Sequence, residues 1–148
     1  MALALEIGLG APPDPIEALK WRRRAAEAGD SASQLALANI LAQGDELERS
    51  EAFQWLRKAA ENGEIQAQLA LGAAYATGQA APKDEMEAFA WFRQAAELDH
   101  PWAQYPIGQA CELGAGTSQD LDKAIRWYQK AAKQGQSEAQ ERLDSLDY

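Results

Sequence analysis

Apolar side chains in this chain recur at the i, i+3, i+4 spacing of helices buried on one face, and the stripes themselves recur. Leu37, Ile40 and Leu41 form one stripe, Ala52, Trp55, Leu56 and Ala59 a second, and Ala88, Trp91, Phe92 and Ala95 a third. Each predicts a helix whose apolar side points inward. Tryptophan sets the longer beat: Trp21, Trp55, Trp91 and Trp127 are separated by 34, 36 and 36 residues. One word surrounds them, EALKWRRRAAEAG over 17–29, EAFQWLRKAAENG over 51–63, EAFAWFRQAAELD over 87–99 and KAIRWYQKAAKQG over 123–135. A second word, SQLALANILAQG, AQLALGAAYATG and AQYPIGQACELG, occupies 33–44, 67–78 and 103–114, and a fourth copy, AQERLDSL, begins at 139. Two helices per repeat of this length are the signature of an αα-hairpin solenoid, in which no unit buries its apolar face alone.

Punctuation places the helices. Pro12 and Pro13 close a leader over 1–13, so the first helix opens with Asp14 as cap and Pro15 in its first turn and closes at Gly29. The next is expected from Ser31 to Gln43, with Gly44 ending it. Glycines 44, 78 and 114 end one helix type, and 29, 63 and 135 the other. Alanine dominates the inward faces because small side chains let helices approach closely, leaving tryptophan to fill the space between units. The pairs Asp45 with Glu46, Asp84 with Glu85, and Asp120 with Asp122 precede tryptophan helices, where negative charge complements the helix N-terminus. Gln34, Gln68, Gln104 and Gln140 recur in register, as residues of a repeat's own packing or capping do. In the last helix Glu141 and Asp144 replace Leu69 and Gly72 of the pattern, a polar outer face suited to an array's end.

Ala67, Leu71, Gly72, Tyr75 and Gly78, followed by Ala88, Trp91, Ala95 and Ala96, resemble the Sel1-like repeat, a relative of the tetratricopeptide repeat, and the likeness spans about residues 15–143. Asp99 and Ala38 stand where that pattern has glycine, and the first loop, GDELE, is two residues short. The resemblance implies an all-α, right-handed αα-hairpin superhelix within a single domain over 1–148. About three repeats (31–63, 64–99 and 100–135) lie between an N-terminal helix over 14–29 and a capping helix over 136–147. It also implies a non-catalytic scaffold that binds protein or peptide on the concave wall, without cofactor or metal. Arrays this short and plain look bacterial.

Composition narrows the partner. A net charge of −9 and a pI near 4.6 oppose binding to nucleic acid or an anionic membrane and favour a neutral or basic protein. No apolar run approaches the roughly 20 residues of a membrane span. The leader has no Lys or Arg ahead of its apolar stretch and carries Glu6 within it, which makes a poor signal peptide. Cys111 is the lone cysteine, so no internal disulfide forms and cytoplasm is the expected compartment. His100 and Cys111, on one helix, would lie roughly 16 Å apart, too far for a nucleophile–base pair. GAG over 114–116 reads as a turn between helices, not a phosphate loop. An enzyme is therefore not expected. The basic run KWRRR over 20–24 is either a solvated helix surface or a contact with acidic groups.

Candidate partner residues follow from the face left over. With Leu37, Ile40 and Leu41 inward, Leu35, Asn39 and Gln43 share another side; the same offset selects Leu69, Ala73 and Thr77, then Tyr105 and Gln109, with Glu112 one position short of it. Amide side chains there suit an extended peptide, since each offers a donor and an acceptor. The other reading is a solvated polar face. Trp102 breaks the pattern, sitting where neighbouring repeats have Gln66 and Glu138, and Pro106 stands where they have Ala36 and Ala70. Either the helix starts late, near Tyr105, or it is kinked. Trp102 is then a partner anchor or the filler of a gap opened by the distortion. Leu3, Leu5, Ile7 and Leu9 alternate and would cover the first helix; otherwise that edge is a dimerisation surface, which leaves monomer and weak homodimer both open. A second functional reading is an immunity or antitoxin-like protein masking one basic cognate partner.

Overall fold

The computed structural model describes residues 14–147, and the alternating leader residues Leu3, Leu5, Ile7 and Leu9 lie outside them. The described residues form eight helices and no strand: α1 (Pro15–Glu27), α2 (Ser31–Leu41), α3 (Glu46–Glu61), α4 (Ile65–Thr77), α5 (Glu85–Glu97), α6 (Pro101–Leu113), α7 (Leu121–Lys133) and α8 (Ser137–Ser145). The order is that of an αα-hairpin solenoid. Two compact units divide between Ala67 and Gln68, inside α4. In the first, α2 packs on α1 and on α3 around Ala26, Leu37, Ala38, Leu41, Ala52 and Trp55. In the second, α5, α6, α7 and α8 pack each on the next, and Leu71, Trp91, Ile107, Tyr128 and Leu143 are among the buried residues.

Every tryptophan helix begins at an aspartate whose side chain accepts from backbone N–H groups of the first turn: Asp14 from Ile16 at 3.0 Å, Asp45 from Glu48 at 2.9 Å, Asp84 from Met86 at 3.0 Å and Asp120 from Lys123 at 3.0 Å. These donors have no partner within the helix, which is why the acidic pairs sit where they do. At Asp45 the cap is reciprocal, since Glu48 Oε2 accepts from the Asp45 N–H at 3.0 Å. This box explains the short first loop: α3 has 16 residues against 13 in α5 and α7, so missing loop is replaced by added helix. Gly44 is accordingly not a left-handed helix end. Instead, a Cβ there would collide with the Glu48 carboxyl group.

Inside each unit, the glutamate four residues before the tryptophan accepts from its indole, Trp55 Nε1 to Glu51 at 3.0 Å and Trp91 Nε1 to Glu87 at 3.2 Å. Both rings are thereby buried with their polar atom satisfied. In the last repeat Lys123 replaces the glutamate; Trp127 is half-buried beneath Lys130, and its neighbour Tyr128 becomes the fully buried aromatic. The tight fit lies between that position and a glycine. A Cβ on Gly108 would lie 2.5 Å from Tyr128 Cε1, and one on Gly72 would lie 3.0 Å from Phe92. Ala38, which departs from the glycine pattern, shares its cluster with the smaller Leu56. The larger backbone-side residue is matched by a smaller partner.

Other expectations need correction. Ile40 is 43% exposed, so the inward stripe of α2 is Gln34, Leu37, Ala38 and Leu41, and the helix stops at Leu41. Gln34 is inward because it bridges helices, donating to the Ala26 carbonyl at 3.0 Å and accepting from Asn62 Nδ2 at 2.9 Å. Gln68 and Gln104 are buried at the equivalent places, whereas Gln140 is exposed on the terminal helix. Asp99 adopts φ +55°, close to the left-handed geometry of Gly29, Gly63 and Gly135 at the other tryptophan-helix ends. The backbone keeps its path and the aspartate bears the strain. Two stability changes of opposite sign are expected in thermal or urea unfolding: Gly108→Ala loses about 1–3 kcal/mol by overpacking against Tyr128, and Asp99→Gly gains about 0.5–1 kcal/mol by relieving the left-handed residue.

Candidate partner-binding surface

Helix α6 carries the departure from the repeat. It begins at Pro101, with His100 at the cap position making no side-chain capping bond, and it continues through Pro106. A late start near Tyr105 is therefore not what the chain adopts. The first turn closes tightly, Ala103 N–H donating to the His100 carbonyl at 3.1 Å. Pro106 has no N–H to offer the Trp102 carbonyl one turn back. Ala103, Gln104, Ile107, Gly108 and Cys111 point into the core, which leaves Trp102, Tyr105 and Gln109 along another side at i, i+3 and i+7. Trp102 is 61% exposed and fills no gap. Tyr105 is half-buried, its ring 5.5 Å from that of Tyr128 at an interplanar angle of 42°. Gln109 Nε2 donates to the Tyr105 hydroxyl at 3.2 Å.

Glu112, on the same helix, is held from within. Tyr128 Oη donates to its carboxylate at 2.7 Å, Arg142 Nε donates at 3.0 Å and Arg142 Nη2 donates to the second oxygen, a bidentate clamp that ties α6 and α7 to α8. Arg142 Nη1 also donates to Ser145 Oγ at 3.1 Å. The Arg142 hydrogen bonds hold the Glu112 carboxyl below its ordinary value. Burial, and then the Glu112 carboxylate, push the Tyr128 hydroxyl well above its own. The residue signals of this clamp are present in the chain but were not recognised in the sequence: Glu112, Tyr128 and Arg142 replace Ala76, Phe92 and Pro106 of the preceding repeat together.

The remaining candidates divide between the units. In the second, Leu69 is half-buried and Ala73 and Thr77 are exposed, with the Thr77 hydroxyl donating to the Ala73 carbonyl at 2.8 Å. In the first, Leu35 is half-buried and Asn39 and Gln43 are exposed. The basic run makes surface contacts: Lys20 pairs with Glu17 at 3.5 Å, Arg23 with Glu51 at 3.2 Å, and Arg24 lies 5.0 Å from the Trp21 ring centre. Such exposed pairs contribute about 0–1 kcal/mol each. Pro15, Ile16, Ala18, Leu19 and Ile40 line an apolar depression of about 430 Å³ at the α1 edge. A smaller pocket of about 210 Å³ lies in the second unit, floored by Phe89 and Phe92 of α5 and walled by Ala76, Pro106 and Gln109, with Glu85 at its side. Among the described residues no three His, Cys, Asp or Glu side chains gather as metal ligands. Burial pushes the Cys111 thiol up, away from the reactive thiolate.

Stacked helical hairpins with an exposed aromatic on one helix define a repeat scaffold of the kind that mediates protein interactions. The Sel1 repeat model matches residues 1–30, 31–64, 65–100 and 103–136, and the chain belongs to the Sel1 repeat family. Among solved structures it is 41% identical to a Sel1 repeat protein from Oxalobacter formigenes, over 86% of this chain and 97% of that one, with a TM-score of 0.77. It is 35% identical to c5321, a protective antigen of uropathogenic Escherichia coli with an SLR fold, at a TM-score of 0.76, covering 98% of this chain but 32% of that one. Cysteine rich protein B of Helicobacter pylori shares the fold at 24% identity, with a TM-score of 0.62 over 83% of this chain and 90% of that one. No curated protein matches the chain. No helix among the described residues is long and apolar enough to cross a membrane.

The clamp has a definite pH signature. Glu112 titrates below its ordinary value of 4.5 in the folded protein, so the stability it lends is complete above that value and disappears as pH falls through the lower, folded one. Thermal melts between pH 3 and 7 should show this acid-side loss in the wild type and a flatter profile in Glu112→Gln. At pH 7 the variant should be less stable by about 1–2 kcal/mol, the part-exposed Arg142 softening the loss of its partner.

Proposed function

We propose that this protein is a non-catalytic adaptor that binds a neutral or basic protein segment, with α6 as the principal contact helix. The observation that carries this reading is Trp102, a large aromatic 61% exposed at a position where neighbouring repeats hold polar side chains. Tryptophan and tyrosine supply contact energy at little entropic cost, and Gln109 adds amide chemistry beside them. Leu69, Ala73 and Thr77 extend the surface within the second unit. Leu35, Asn39 and Gln43 are its counterpart in the first. Glu112 acts indirectly, holding α6 against α8. The reading needs no cofactor or metal, and nucleic acid and anionic membranes are disfavoured by the charge of −9. The same charge supports a second reading, a protein that masks one basic cognate partner in the manner of an immunity protein. The single buried Cys111 suits the cytoplasm, and the apolar depression at α1 supports at most weak self-association of a monomer.

Capture of native partners by the wild type beside Trp102→Ala, read by mass spectrometry, tests the adaptor. Trp102→Ala should abolish capture while the melting temperature stays within about 1–2 °C, because the ring is exposed. Tyr105→Ala should also abolish capture, with a stability loss from its lost stacking on Tyr128. Equal capture by wild type and Trp102→Ala moves the site to Asn39 and its neighbours. One cognate partner bound at nanomolar, strongly salt-dependent affinity selects the masking reading.

A further inference from the structure

The pocket beside α5 has a counterpart in the next repeat that the chain fills with its own side chain. Trp91 and Trp127 set an offset of 36 residues, which maps Ala76, Phe92, Pro106 and Gln109 of the pocket onto Glu112, Tyr128, Arg142 and Ser145. In that second set the Arg142 guanidinium is gripped by Glu112 and Ser145 beside the Tyr128 hydroxyl. In the first set alanine and proline replace the acid and the arginine, leaving about 210 Å³ open over Phe92. We propose that this pocket accepts an arginine side chain from a basic segment of a partner protein, lying as Arg142 lies one repeat later.

The residues present fit a guanidinium group. Phe89 and Phe92 line the pocket, and an aromatic ring attracts a cation to its face. Gln109 donates through Nε2 to Tyr105, so its Oε1 takes the accepting role that Ser145 Oγ performs for Arg142. Glu85 supplies the carboxylate that Ala76 lacks. It is paired at 2.8 Å with Lys83, both side chains about half exposed, and such a pair exchanges readily for an incoming fork of donors. A net charge of −9 draws basic segments to the surface. Lysine, a point charge without the planar fork, fits the arrangement less well. This inference rests on the adaptor reading and names the partner group it selects.

Titration of 15N-labelled protein with an acetylated, amidated Ala-Ala-Arg-Ala-Ala peptide tests it, beside peptides with citrulline or leucine in place of arginine. The arginine peptide should give saturable shifts at Phe89, Phe92 and Gln109, with affinity about tenfold above either counterpart. Ala76→Glu, which restores the missing acid, should tighten it further, and Glu85→Gln, an exposed substitution, should weaken arginine binding selectively. Pro106→Arg fills the pocket from within, regains a helix donor, and should abolish the shifts. Leucine binding as tightly as arginine, unchanged arginine binding in folded Pro106→Arg or in Glu85→Gln, or no saturable shift in the wild type overturns the proposal. Native partner capture retained by Pro106→Arg but lost by Trp102→Ala overturns the arginine pocket alone and leaves the adaptor standing, because Trp102 does not line the pocket.

Discussion

An aromatic ring seated directly on the backbone of the preceding helix is the constraint on which the second unit depends. Gly108 gives Tyr128 its place and Gly72 gives Phe92 its place, each by omitting a Cβ that would meet the ring at 2.5 Å and 3.0 Å. Dispersion energy falls steeply with distance, so helices brought together without an intervening Cβ gain contacts that a wider spacing forfeits. The alanines around them, Ala88, Ala95, Ala103, Ala124 and Ala131, are buried for the same reason. The first unit reaches the same end with other sizes, Ala38 clustering with Leu56. Volume is conserved where residue type is not.

Once the helices are that close, their polar groups must be accounted for, and the repeat does so with a small set of residues. Aspartate caps satisfy the first-turn donors, glutamate satisfies the indole, and Gln34 reaches the Ala26 carbonyl across the helix end. These bonds contribute about 1 kcal/mol each when made and cost more when one partner is removed from a buried site. Several carboxylates of this acidic chain are placed to accept hydrogen bonds at helix N-termini or from tryptophan. The last repeat adds the Glu112–Arg142 clamp, which joins α8 to α6.

The surface proposed for partners lies where the repeat rule is broken. Trp102 and Pro106 are conspicuous because the positions they occupy are polar or small elsewhere, and the helix tolerates Pro106 without losing continuity. The first turn of α6 bears an exposed indole, and Pro106 lines a pocket whose counterpart one repeat later holds the Arg142 side chain. An exposed indole and a concavity thus occur within the same unit, at the helix that departs from the repeat.

Much of this was legible from residue spacing alone. The tryptophan beat, the glycine stops and the aspartate starts determine an all-α array of hairpins, because helix periodicity and capping chemistry act over a few residues and are written locally. Local rules misplaced Ile40, which shares its stripe with Leu37 by period yet faces solvent, and they read Gln34 as a packing or capping residue without its partners, the Ala26 carbonyl and Asn62. They assigned Glu112 to a partner surface, whereas Arg142, 30 residues on, claims its carboxylate. They described Gly44 as a stop and Gly108 as part of a motif, without the Glu48 and Tyr128 side chains that forbid a Cβ at each. The amino-acid sequence by itself determined which segments are helical and how they repeat. The tertiary structure decided which side of each helix is buried, which carboxylates are already paired and which pocket stays open, since those outcomes depend on groups brought together only when distant helices pack.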